Sequence, residues 1–292
     1  MTEALESMTA ASLRPTPLVA PPSWSGGSIR AREASRPPPS GNSLSGARSA
    51  PVRGRSSGML GRAVQPDELS VVFQPIVTLA TGGLFACEAL VRCAVPAFRN
   101  PEVLFAEAVR DGSAGQLGRM IREVATPLCR DVPVFLNVHP AELQDSWLVR
   151  PDDPIYTHST DVFLEITESV PFEHFEVCRS VLSEVRWRGG VHLVVDDLGA
   201  GYSNLKRIAD LEPKVVKLDR ELVSGVAASL RQRRLVHGVV QLCVDMGAKV
   251  VAEGIETHDE FSAILDTGVH YGQGYYFARP GFPIPAVKWP SP

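Results

Sequence analysis

Two adjacent carboxylates, Asp196 and Asp197, follow the apolar run Leu193, Val194, Val195, and Gly199 and Gly201 follow them in turn. The run reads as a short buried strand that delivers both acids to its C-terminal end, where the glycines open a loop. Two anions side by side at the end of an apolar strand repel each other and lose hydration. A bound cation or a set of hydrogen-bond donors offsets that cost. One such loop also admits a plainer reading, in which Asp197 or Ser203 caps a helix beginning near Asn204. Carboxylates elsewhere in the chain decide between the two.

They recur at the ends of other apolar runs. Glu88 and Arg92 lie four apart in EALVR, so on a strand they share a face with Leu90 between them. The acid suits a metal and the guanidinium a phosphate, or the two form a structural ion pair. Asn137 closes PVFLNV, where its amide oxygen suits a hard cation; the neighbouring His139 reads as a surface or packing residue. Glu165 and Glu168 follow Val162, Phe163 and Leu164. Lys217 and Asp219 share one side of a strand opened by Val215 and Val216, and a lysine beside acids could orient or deprotonate a water. Glu253 and Glu256 follow the run Lys249 to Ala252, and Gln273 stands between two glycines.

The elements that must position these residues alternate along the chain. SVVFQPIVTL and LFACEALVRC read as two strands joined by a turn at Ala80 to Gly83. Apolar spacing predicts two helices within 101–130, broken at DGSAG, and further helices over Phe172 to Arg188, Leu205 to Leu211, Arg231 to Met246 and Asp259 to Leu265. Trp147 to Thr160 reads as irregular. Glu173, Glu176 and Glu184, and the basic cluster RQRR at 231–234, read as solvated faces. Strand followed by helix, with polar residues at each strand's C-terminal end, is the pattern of a (β/α)8 barrel whose site gathers at that face.

Composition sets the limits. The 292 residues carry a formal charge of −4, yet residues 1–62 hold eight Arg against three Glu, so the rest of the chain is distinctly acidic. An acidic body argues against broad attraction to DNA, though a carboxylate cleft filled by divalent metal still receives phosphates. Five cysteines without a C-x-x-C pair suggest reduced thiols and a cytoplasmic setting. No apolar run approaches the roughly 18 residues needed to span a membrane. Residues 1–62, rich in Pro, Ser, Gly and Arg, read as a disordered tail, either a basic tether, a passive extension or sequence upstream of a start at Met59; residues 63–292 form the folded domain.

Taken in order, EALVR at Glu88, the Asn137 strand, EITE at Glu165, DDLGAGYSNL at Asp196, KLD at Lys217, EGIE at Glu253 and QGYYFARP at Gln273 resemble the EAL family of cyclic di-GMP phosphodiesterases from Phe73 to Pro280. The resemblance implies a TIM-like barrel with one antiparallel strand, two Mg²⁺ or Mn²⁺ ions, and hydrolysis of cyclic di-GMP to linear pGpG. It implies that Glu88, Asn137, Glu165 and Asp196 hold one ion, with Asp196 bridging to a second supported by Asp197, and Asp219 counted among the metal-binding acids. Glu253 and Lys217 would position and help deprotonate the attacking water. Arg92, with Leu90 beside it, would contact substrate, Gln273 and Glu256 would support the nucleotide and metal network, and Glu168 would brace the loop after Asp197. A homodimer is suggested by the resemblance alone. Leu198, Asn204 and His139 depart from the usual Phe, Ser and Ser, and none of them is an expected ligand. Two other readings stay open: a receptor that binds the nucleotide without cleaving it, and a protein-interaction module.

Overall fold

The computed structural model describes residues 64–144, 147–167, 175–199 and 209–290. Strands β1 (Leu69–Thr78) and β2 (Leu84–Cys93) pair antiparallel around the expected turn, with Gln74 opposite Glu88. The parallel strands β3 (Val134–Asn137), β4 (Val162–Thr167), β5 (Val191–Leu198), β6 (Val215–Leu218), β7 (Lys249–Ala252) and β8 (Tyr271–Gly272) follow, and β8 pairs antiparallel with β1 to close an eight-stranded barrel. Only β1 runs against the rest, as expected.

The parallel strands are apolar on both faces because both are covered, by helices outside and by each other's side chains inside. All four residues of β6 are buried. The interior layer consists of Ile76, Ala86, Phe135, Phe163, Val194, Val215 and Val251, backed by Phe85 and Tyr271. Phe135 stacks on Phe163 at 4.4 Å, and Phe85 on Tyr271 at 3.9 Å. Every member of the seven stands two residues from a polar side chain on the same strand face. With a side-chain period of two, the plug and the polar groups are successive layers of one barrel interior.

Helices α1 (Pro101–Arg110), α2 (Ala114–Ala125), α3 (Phe175–Trp187), α4 (Arg220–Val223), α5 (Leu230–Asp245) and α6 (His258–Leu265) form the described outer layer. Asn100, Asp219, Ser229 and Thr257 each accept a backbone N–H at a helix start, satisfying donors that have no partner within the helix. Two expectations are refined. β4 runs on through Glu165, and β5 includes both aspartates, so these acids lie within strands instead of after them. Of the basic cluster, Gln232 and Arg233 turn inward: the Gln232 amide donates to the carbonyls of Glu221, Leu222 and Ser224, and Arg233 to that of Ala227. The expected tail, Glu168, Ser203, Asn204 and most of the helix from Leu205 lie outside the described residues.

Arg122 of α2 is 2% exposed and is gripped by Glu142 and Asp153, both fully buried. Removing one member of a buried charged cluster leaves the others uncompensated, which typically destabilises by about 3–5 kcal/mol. Arg122→Ala is therefore expected to lower stability by about that amount in denaturant unfolding, far more than Arg150→Ala on the exposed pair with Asp152.

Candidate active site at the barrel mouth

The ring begins on β1 and draws one polar side chain from, or just after, every strand: Gln74, Glu88, Asn137, Glu165, Asp196, Lys217, Glu253 and Gln273. Lys217 is 1% exposed, and its ammonium lies 2.5 Å from Glu165 Oε1, 2.5 Å from Glu253 Oε1, 3.3 Å from Asp196 Oδ1 and 3.6 Å from Glu88 Oε2. Glu88 is the second hub. Its Oε1 accepts from the Asn137 amide at 3.1 Å and its Oε2 from the Gln273 amide at 2.6 Å. These bonds settle one open choice: Glu88 turns into the barrel and makes no ion pair with Arg92.

Gln74 escaped sequence reasoning. Its Oε1 accepts a second bond from the Gln273 amide at 3.2 Å, and its own amide donates to the Ala278 carbonyl. An amide inside the apolar run SVVFQPIV was the signal available, because a polar side chain in such a strand needs buried partners.

Strict alternation would send Asp196 and Asp197 to opposite faces of β5. The backbone at Asp197 takes φ of 59°, and pairing between β5 and β6 shifts register between Val195 and Leu198. Aspartate tolerates this left-handed conformation better than most residues, and such irregularities re-aim side chains at strand ends. As a result Asp196, Asp197 and Glu253 each bring a carboxylate oxygen to within 4.8 Å of the others. Leu198, the departure beside them, is buried and pairs with Leu218, so its side chain packs in the core.

Charge at this site is out of balance, with the ring's four carboxylates and the neighbouring Asp197 facing one ammonium. Burial, and then the charges of Glu88 and Asp196, push the Glu165 carboxyl well above the usual range against the pull of Lys217. Burial raises Glu253 to about 8 although Lys217 opposes it, and burial with the neighbouring Asp196 raises Asp197 to about 6. Glu88 moves the other way: burial works against its ionised form, but Lys217 and the amides of Gln273 and Asn137 outweigh it. Lys217 is held charged despite burial by the surrounding acids. Glu165 Oε2 and Gln273 Oε1 are buried without a hydrogen bond. Surplus negative charge, an orphaned carboxylate oxygen and an all-oxygen donor set fit a hard divalent cation.

A cleft of about 800 Å³ opens beside the ring, lined by Glu88, Leu90, Arg92, Phe105, Asn137 and Asp197 among others. Arg92 is exposed at its rim and, among the described residues, donates only to the adjacent Val91 carbonyl. His139 stacks on Phe105 at 5.9 Å and accepts from the Ala141 N–H, the packing role expected of it. Two expected site residues are engaged elsewhere. Asp219 Oδ1 caps α4 through the Glu221 N–H at 2.7 Å, and Glu256 pairs with Arg220 at 3.1 Å.

Fold and ring together define a closed barrel whose C-terminal mouth gathers acidic and amide side chains around a buried lysine. Residues 57–280 match the EAL domain model, and the chain belongs to that family. It is 34% identical over 249 residues to the cyclic di-GMP phosphodiesterase PA2567 of Pseudomonas aeruginosa, covering 79% of this chain and 41% of that one, so it spans about two fifths of that relative. A manganese and cyclic di-GMP complex of Klebsiella pneumoniae BlrP1 superposes with a TM-score of 0.64 at 28% identity, covering 73% of this chain and 56% of that one. The EAL enzyme Bd1971, bound to cAMP and cyclic di-GMP, shares the fold with a TM-score of 0.68 at 24% identity, covering 76% and 64%. Among the described residues no helix is long and apolar enough to cross a membrane.

Proposed function

We propose that this protein is a metal-dependent phosphodiesterase that hydrolyses cyclic di-GMP to pGpG. The observation that carries this is the lysine enclosed by four carboxylates, all within 3.6 Å, beside a cleft rimmed by an arginine without a carboxylate partner among the described residues. Family membership and the named activity of its relatives support it.

Glu88, Asn137, Glu165 and Asp196 would hold one Mg²⁺ or Mn²⁺, and Asp196 with Asp197 the second. The Asp219 oxygen that caps α4 leaves that residue at most a supporting part. Such ions, when bound, would acidify a water and neutralise charge on the phosphodiester. The chain supplies the rest. Asn137 and Gln273 hold Glu88 in one orientation by donating to both of its oxygens. Glu253 takes the proton of the attacking water, while the Lys217 ammonium, 2.5 Å from its Oε1, holds that carboxylate and the water in position. Arg92 reaches a phosphate oxygen from the rim. Attack at phosphorus breaks the bond to one ribose oxygen, which leaves with a proton and linearises the dinucleotide.

The test is turnover of cyclic di-GMP by the purified chain with Mg²⁺ or Mn²⁺, repeated with EDTA, alongside nucleotide binding in Ca²⁺. Appearance of pGpG that stops with EDTA is expected. Tight binding with no turnover in either metal would make the protein a receptor instead.

A further inference from the structure

The buried cluster of Arg122, Glu142 and Asp153 lies outside the ring of site residues, yet it grips the segment that leaves the ring at Asn137. Asn137 is the last residue of β3; the Val138 N–H still donates to the Glu165 carbonyl at 2.9 Å, and after it the chain leaves the sheet through 139–142, the segment on which the end of the strand rests. Glu142 ties that segment back on itself. Glu142 Oε1 accepts from the His139 N–H at 2.9 Å, and the Glu142 N–H donates to the His139 carbonyl at 2.8 Å, closing the turn from both ends. The second carboxylate oxygen is held by Arg122 Nη1 at 2.8 Å. Arg122 is anchored from behind by Asp153, through Nε at 3.1 Å and Nη2 at 3.0 Å, and Asp153 in turn accepts from the Ile155 N–H.

The helix makes room for this contact. A Cβ on Gly118 would lie 1.7 Å from Glu142 Oε2, so only glycine lets the carboxylate lie against α2 within reach of Arg122 one turn on. A cluster wanted only for anchoring the helix would not need its acid bonded to the backbone two residues after a site amide. His139, Pro140 and Ala141, the residues enclosed by the turn, also line the cleft.

We propose that Glu142, locked by Arg122 and Asp153, is a positioning residue that aims Asn137 at the metal site. This rests on the reading of Asn137 as a ligand in the proposed phosphodiesterase. Outer residues that orient a ligand typically contribute about 10- to 100-fold in metal affinity.

The experiment is Mn²⁺ titration by calorimetry on the intact chain, which needs no turnover. Glu142→Gln keeps the size and an oxygen for the His139 N–H but turns an amide toward Arg122; it is expected to weaken Mn²⁺ binding about tenfold. Glu142→Asp, which keeps the charge and guards against loss of folding, is expected to weaken it less. Asn137→Ala should also weaken binding, and Glu142→Gln added to it should weaken it no further, because the effect passes through Asn137. Additive losses, or unchanged affinity in Glu142→Gln with only a lower Tm, would overturn the proposal and reduce the cluster to a structural anchor. A wild-type chain that takes up no Mn²⁺ would instead remove the metal reading itself, and the proposal with it.

Discussion

Lys217→Ala is expected to abolish hydrolysis and to weaken the metal-free protein. Four carboxylates lie within 3.6 Å of the Lys217 ammonium, and among the described residues it is their only cationic neighbour. Without it they repel one another in a buried layer, a loss of about 3–5 kcal/mol. Mn²⁺ supplies the missing positive charge, so stability should recover with added metal, and the stabilisation by Mn²⁺ should exceed that of the wild type. Activity should not recover. The partner that holds Glu253 at 2.5 Å is gone, and misplacing a group that moves a proton typically loses about 10²- to 10⁴-fold. Thermal melts with and without Mn²⁺, together with turnover at saturating metal, check both halves. Full activity in the melted-and-rescued variant would exclude Lys217 from the chemistry.

Glu88→Ala is expected to be as damaging to activity and much milder to stability. Glu88 accepts from Asn137 and Gln273 and faces Lys217, so its removal frees both amides and deletes one proposed metal ligand. Metal stabilisation of a phosphoryl transition state is worth several kcal/mol. At about 1.4 kcal/mol per tenfold, its loss is on the order of a thousandfold in kcat/KM. The same substitution removes one of the charges that raise Glu165, Asp197 and Glu253, which offsets part of the packing and hydrogen bonds lost. Unfolding free energy should therefore change by less than in Lys217→Ala. A variant that unfolds as readily as Lys217→Ala would show that Glu88 is chiefly structural.

The contrast between these two variants follows from a single feature. The ring carries more acid than its one ammonium balances, so losing the cation harms the metal-free fold more than losing an acid does. Both lose turnover, because the chemistry needs the full set.

Much of this was legible in the residues. The period-two alternation of β1 and β2 placed Glu88, Leu90 and Arg92 on one face, and the structure grades them from buried to exposed toward the rim. Apolar runs giving way to polar residues marked β3 to β7 and the face on which those polar residues gather. Strand and helix periods are local properties, set by where each Cβ points, and a linear sequence displays them directly. The order of motifs was specific enough to mark the family without any coordinates.

Other features were decided only by the folded chain. Gln74 and Gln273 are 199 residues apart and share a hydrogen bond only because β1 and β8 close the barrel. Asp197 joins Asp196 only through a left-handed backbone, which side-chain spacing does not reveal. Whether Glu88 would pair with Arg92 or turn to Lys217 depended on which charge the closed barrel placed nearer. Arg122, Glu142 and Asp153, spread over 31 residues of sequence, become a cluster only because packing buries all three together. Sequence determined which residue types stand at the strand ends and which face they take, since backbone periodicity is local; tertiary structure decided their partners and charge states, since hydrogen bonding, desolvation and Coulomb interactions depend on distances that only barrel closure sets.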